Sequence, residues 1–190
     1  AALRAIPNLA VIRPCDAHET REAWRAALLR TDGPTSFAFS RQKVAVIDRK
    51  KFADARGLHK GAYVLAEAED RRGKRSDPQL ILIATGSEVQ LAMQAQVELA
   101  KRKIPVRVVS MPSTTVFDRQ DLAYKTTVLP PKLPRIAIEA GVTDGWWKYG
   151  CAAVIGLDRY GESAPAGALF QLFGFTVDNL VLTVRKVLGK

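Results

Sequence analysis

An arginine just beyond the carboxyl end of a strand can grip a phosphate through two parallel N–H bonds. Arg41 has that placement, since it follows SFAFS at 36–40, which reads as the end of a buried strand. Taken alone, the residue reads as a solvated charge or half of an ion pair. A second group collects at Glu139, which closes the apolar run RIAI at the edge where open α/β sheets receive ligands. Asp144, Trp146, Trp147 and Tyr149 follow, and with Glu162 they form a set able to line a pocket for a small polar ligand. The same residues suit packing or subunit contact, which is the preferred reading. Aromatics with a polar handle gather at interfaces, and Gly141, Gly145 and Gly150 let backbones approach.

Other constellations carry less. ATGSEV at 84–89 sets a strand end against a helix N-terminus, where free N–H groups attract anions. It has one glycine where a dinucleotide fingerprint needs three, and no lysine where a phosphate loop needs one, so plain capping is the expectation. Cys15 and His18 share C-x-x-H spacing, yet only Cys151 and His59 remain to complete a zinc site. No metal site is expected, and His18 lacks the orienting partner that a Cys–His nucleophile pair requires.

The formal net charge is +10, and its distribution decides its meaning. Residues 43–75 hold ten Lys or Arg against five Asp or Glu, half of the excess, in DRKK at 48–51 and DRRGKRSD at 70–77. These clusters are short, rich in turn formers and free of interleaved aromatics, so they read as solvated linker and loop rather than a nucleic-acid footprint. An apolar fraction of 47% with 25% charged residues is ordinary for a globular chain. No apolar run approaches the roughly 20 residues a membrane helix needs, so no membrane partner is expected. Two distant cysteines make no disulfide framework, which suits a reducing cytoplasm.

The elements that would position these residues follow from periodicity. Leu9 to Ile12 read as a strand. Asp16, with Glu19 three residues on, opens a helix to about Arg30 whose apolar face holds Ala23, Trp24, Ala27 and Leu28. Thr35 to Phe39 complete a βαβ crossover that cannot bury both faces of its strands alone, so residues 1–42 read as the remnant of a larger domain. Beyond the joint, GAYVLAEA at 61–68 is an edge strand and LILIA at 80–84 a buried one. Ser87 caps a helix through Ala100, and Val106 to Val109 and Arg135 to Ile138 are strands. Asp118 starts a short helix. Ala152 to Ile155 either add a strand or finish a helix begun near Trp146. Pro165 to Gly174 and Val177 to Leu188 are the closing helices. The fold class is α/β, a three-layer α/β/α domain with a mostly parallel sheet of about five strands, preceded by the βαβ remnant.

Three blocks taken in order, DGPTSFAFSRQ, LILIATGSEV and RIAIEAGVTDGWWKYGCAAVIGLDRYGESAPAGALFQLFGFTVDN, resemble the last part of a transketolase. The resemblance implies the tail of a thiamine pyrimidine-binding domain at 1–42, a linker at 43–60 and the C-terminal domain at 61–190. It implies transfer of two-carbon ketol units between ketose and aldose phosphates in the pentose phosphate pathway. Thiamine diphosphate and Mg or Ca would serve the complete enzyme, a cytoplasmic homodimer, and neither would bind these residues alone. It also implies that Arg41 contacts the substrate phosphate. The GPTH-type block, the GDG motif and the cofactor-activating glutamate of such enzymes are absent, so the expectation is an inactive fragment with no catalytic residue, supporting the dimer. The alternative is a non-catalytic binding or regulatory module of a related thiamine enzyme, a deoxyxylulose phosphate synthase or a 2-oxoacid dehydrogenase β chain. GESAP at 161–165 and FGFTVDN at 173–179 favour transketolase.

Overall fold

The computed structural model describes all residues 1–190. At the amino end, β1 (Ala10–Ile12), α1 (Ala17–Leu29) and β2 (Thr35–Phe37) form the expected crossover, with β1 and β2 parallel. Asp16 caps α1 by accepting from Glu19 N, while the Glu19 carboxylate reaches back to Cys15 N at 2.8 Å. Two expectations fail here. The buried residues of α1 are Glu19, Glu22 and Ala23, whereas Trp24 and Leu28 lie open at 49% and 79% exposure. β2 ends at Phe37, is only half-buried, and Phe39 is exposed. Trp24, Phe37 and Phe39 stack on one another on that open side, with Phe37 and Phe39 centroids 5.2 Å apart.

The second unit is a five-stranded sheet in which β3 (Tyr63–Ala66), β4 (Leu80–Ala84), β5 (Val106–Ser110), β6 (Arg135–Ile138) and β7 (Ala153–Ile155) lie in the order β3-β5-β4-β6-β7. Only β3, at the edge, is antiparallel. LILIA is apolar at every position because β4 is central and covered on both faces. Leu80, Leu82 and Ala84 join one core with α2 (Val89–Lys101), while Ile81 and Ile83 join the other. That second core is closed by α3 (Thr114–Phe117), α4 (Leu122–Val128) and a 3₁₀ turn at Asp144–Tyr149. α5 (Ala166–Leu172) and α6 (Val177–Val187) complete the α2 side. Full burial of each such aliphatic side chain contributes roughly 1.5–3 kcal/mol, so the sheet centre dominates cohesion.

Two caps differ from expectation, and one open alternative is decided. Ser87 lies inside a 3₁₀ turn at Gly86–Glu88, so α2 begins at Val89 with no side-chain cap. Asp118 ends α3, because Ser113 and Asp121 hold the better capping geometry for α3 and α4. Ala153–Ile155 is a separate strand, and the helical turn begun near Trp146 stops at Gly150 with φ 68°. Residues 166–187 reach a mean hydropathy of 1.4 over a length that would cross a membrane. They are two helices, however, parted at Gly174 (φ 75°), and Leu180, Val181 and Val184 pack on the sheet.

The joint is strapped down rather than loosely solvated. Ile47 is buried, Ala53 N donates to Leu65 O, and a 3₁₀ turn at Ala55–Lys60 buries Ala55 and Leu58. Gly61 (φ 82°) then packs so tightly that a Cβ would meet Phe117 N at 2.2 Å.

Candidate functional site: a buried charge crevice at the carboxyl edge of the sheet

After β4 the chain turns toward β5 on one side, and β6 lies on the other, so the carboxyl ends of β4 and β6 frame the crevice where such sheets hold ligands. Glu88 enters it from the turn after β4 and Glu139 from the end of β6, at 0% and 5% exposure. Two buried carboxylates need cationic partners. Both partners come from the amino-terminal unit. Arg4 forms a fork to Glu139 with both N–H···O distances at 2.7 Å, and Trp146 Nε1 donates to the same carboxylate at 2.8 Å. Arg13 bonds Glu88, reaches Glu139 at 3.4 Å, and donates to Thr85 O. Ser87 Oγ and Ala140 N complete Glu88.

Backbone contacts lock Arg13 in place, with Arg13 N donating to Pro112 O at 2.7 Å and Gly86 N donating to Arg13 O. Gly86 is left-handed at φ 58°, and an added Cβ would meet Arg13 Nε at 2.8 Å, so the residue type is fixed by that approach.

A second polar network lies beneath α1. Glu19, fully buried, accepts from Cys15 N, Tyr63 Oη and Ser110 Oγ. Asp16 accepts from Ile47 N and, at both carboxylate oxygens, from Arg49 Nη2, while Arg49 Nη1 donates to Tyr63 Oη and Ala53 O. Burial and the neighbouring Glu19 push the Tyr63 hydroxyl and the Cys15 thiol far above their usual values, so both stay protonated. Burial alone would also raise Glu139. The hydrogen bonds from Arg4, the charges of Arg4 and Arg13 and the Trp146 bond outweigh it and hold the carboxyl below its usual 4.5.

The structure divides the residues singled out in the sequence. Glu139 and Trp146 meet in the crevice, and Tyr149 packs beside Trp146 while its hydroxyl donates to Asp118. Asp144 is exposed, Trp147 is half exposed, and Glu162 lies on the surface bonded only to Arg159. Arg41 stands four residues beyond β2, exposed and without an ion pair. Cys15 and Cys151 are free and buried, and His59 bonds Glu22. Sequence reasoning missed Arg4, Arg13 and Glu88, and took Arg49 for a solvated charge. Arg13 carried a signal in its position directly after β1, the counterpart of Arg41 after β2.

The crevice is filled by arginines of the same chain, so its chemistry is docking. No group of three or more His, Cys, Asp or Glu residues is placed to hold a metal ion.

Comparisons with known proteins place the whole arrangement. The model of the transketolase pyrimidine binding domain matches residues 1–46, and that of the transketolase-like C-terminal domain matches residues 61–176. Transketolase 2 of Pasteurella multocida (strain Pm70) is 50% identical over 190 residues, 98% of this chain and 28% of the relative. Transketolase 2 of Aliivibrio fischeri (strain ATCC 700601 / ES114) is 48% identical over 100% of this chain and 28% of its own. The chain thus spans about 28% of the length of the curated relatives it matches. The structure of transketolase from Leishmania mexicana superposes with a TM-score of 0.88 at 41% identity over 98% of this chain and 26% of that one. A transketolase from Pichia stipitis in complex with sedoheptulose-7-phosphate gives 0.88 at 34% identity over 99% and 26%. The fold, with its βαβ unit set against the five-stranded α/β domain, is thus shared with known proteins, and this chain belongs to the transketolase family.

Proposed function

We propose that these residues are the C-terminal part of a transketolase that moves two-carbon ketol units between ketose and aldose phosphates as a cytoplasmic homodimer. In this reading residues 1–42 end the pyrimidine-binding domain, 43–60 are the linker and 61–190 the C-terminal domain. Near-complete coverage of the chain at about 50% identity is the observation that carries it. Thiamine diphosphate with Mg or Ca, held outside these residues, supplies the electron sink for carbon–carbon bond cleavage. The side chains present offer no metal-holding set, so no step is assigned to that group here. In this reading the 190 residues alone are inactive. Asp144, Trp147 and Glu162 remain surface groups available for subunit contact.

What this chain contributes is a substrate contact and its support. Arg41 is exposed, unpaired and close beyond β2, as a group awaiting an anion must be. It takes the substrate phosphate through charge-assisted hydrogen bonds. The C-terminal domain holds the β1–α1–β2 unit in register through Arg4, Arg13 and the strap at Arg49, and so fixes the origin from which Arg41 reaches.

In the complete enzyme, Arg41→Ala raises KM for phosphorylated sugars by roughly 10-fold to 100-fold and leaves kcat within a few-fold, because a contact remote from the reacting carbon binds ground and transition states alike. Turnover of hydroxypyruvate, which carries no phosphate, is unaffected. Equal weakening of both donors would remove Arg41 from the phosphate site.

A further inference from the structure

The amino end of the sheet carries a concavity unrelated to the crevice above. β4 and β5 begin there side by side, with Gln79 N donating to Pro105 O, and α2 ends beside them. The turn Asp70–Gly73 folds over the same end. Arg71, Arg72, Lys103, Ser76, Gln79 and Asp70, beside Pro105, line a volume of about 360 Å³. Lys190 Nζ bonds Gln79 Oε1 and adds a cation to the rim.

Charge use separates these residues from their neighbours. Arg75 and Arg107 are paired with Glu67, and Lys101 with Glu98. Arg71, Arg72 and Lys103 line the volume, are exposed and form no ion pair. Asp70, the one carboxylate in the lining, accepts from Arg72 N and Lys74 N at 2.8 and 3.0 Å. Its charge is thereby used to fold the turn that carries the arginines. Lys103 follows the end of α2 and complements that helix's dipole. Arg71 and Arg72 serve no helix end and gather like charge at one place, which is unfavourable until an anion enters.

We propose that this concavity binds the di- or triphosphate group of a small soluble molecule. Two guanidinium forks and an ammonium match several phosphate oxygens at once, more negative charge than a single phosphate carries. The lining has no aromatic on which a base could stack, which sets it apart from single-strand nucleic-acid grooves. The site is independent of the transketolase reading and lies at the opposite end of the sheet from Glu139, so occupancy there leaves the arginine crevice untouched.

Calorimetric titration of the 190-residue chain with pyrophosphate and tripolyphosphate tests this. One saturable equivalent is expected, tighter for tripolyphosphate than for orthophosphate and weakening with added salt. Arg71→Glu with Arg72→Glu weakens binding by about 10-fold to 100-fold or more, and Arg72→Gln alone by about 10-fold. Arg25→Glu with Lys50→Glu removes equal charge from exposed positions elsewhere and leaves binding unchanged. Absence of saturable binding, or equal loss in both charge-reversed pairs, overturns the site, as does preference for a short single-stranded DNA over tripolyphosphate.

Discussion

Helix α1 with its cap and the sheet of the C-terminal domain invert each other's pattern. In the sheet of the C-terminal domain, aliphatic side chains are inside, and Ile81, Leu82 and Ile83 are fully enclosed. In the amino-terminal unit the enclosed side chains include Asp16, Glu19 and Glu22, while Trp24, Leu28, Leu29 and Phe39 lie open. Both kinds of burial join parts of the chain, but they fix different things. Apolar contact is non-directional and sets how much is buried. Paired charges have geometry and set the angle at which two units meet. The inside of α1 is therefore a docking face.

If the docking face holds the two units, removing its central carboxylate must act as strongly as opening a cavity in the sheet. Glu139→Ala leaves Arg4 without its partner and Arg13 with Glu88 alone, and is expected to destabilise the chain by about 3–5 kcal/mol in urea unfolding. A loss under about 1 kcal/mol would reduce the crevice to the worth of a surface pair. Acid probes the same contact. With its folded pKa held below 4.5, Glu139 contributes fully above that value, and its contribution disappears as pH falls through the folded pKa. In Glu139→Ala the acid limb of a stability–pH curve should be shallower than in the parent.

Tyr63→Phe removes one of three donors to buried Glu19 and one acceptor of Arg49, and should cost about 1–2 kcal/mol. The smallest effect belongs to the open side. Leu28→Ser, at 79% exposure, should change stability by no more than about 0.5 kcal/mol, measured by thermal unfolding. A large loss there would mean that α1 buries its apolar stripe after all.

The sheet was legible in the sequence because LILIA, VRVVS and RIAI are runs whose burial on two faces leaves no alternation to misread. α1 was legible as a helix but not in its orientation. Its apolar positions Trp24 and Leu28 suggest an inside, whereas the true inside is chosen by Ser110 and Tyr63, which lie far along the chain and offer donors to Glu19. Glu139 was found from its place at a strand end, yet its partners Arg4 and Arg13 are 135 and 126 residues away. No local pattern encodes such a pair. Arg49 misled for a related reason, since DRKK is a basic run in which one member alone reaches a buried carboxylate.

Arg13 is threaded between Gly86 and Pro112, the residues that follow β4 and β5, so the order of synthesis and the order of folding run against each other. β1, made before β4 and β5, has no seat in the crevice until those two strands have paired. Its contacts carry the entropy of closing long loops and so form late. Refolding should show the sheet's signal first and a slower Trp146 fluorescence change as Arg4 docks over the indole ring, 5.8 Å from its centre. Until that step, the crevice of Glu88 and Glu139 is open to water, and the amino-terminal unit is the part of the chain that a chaperone or protease would meet.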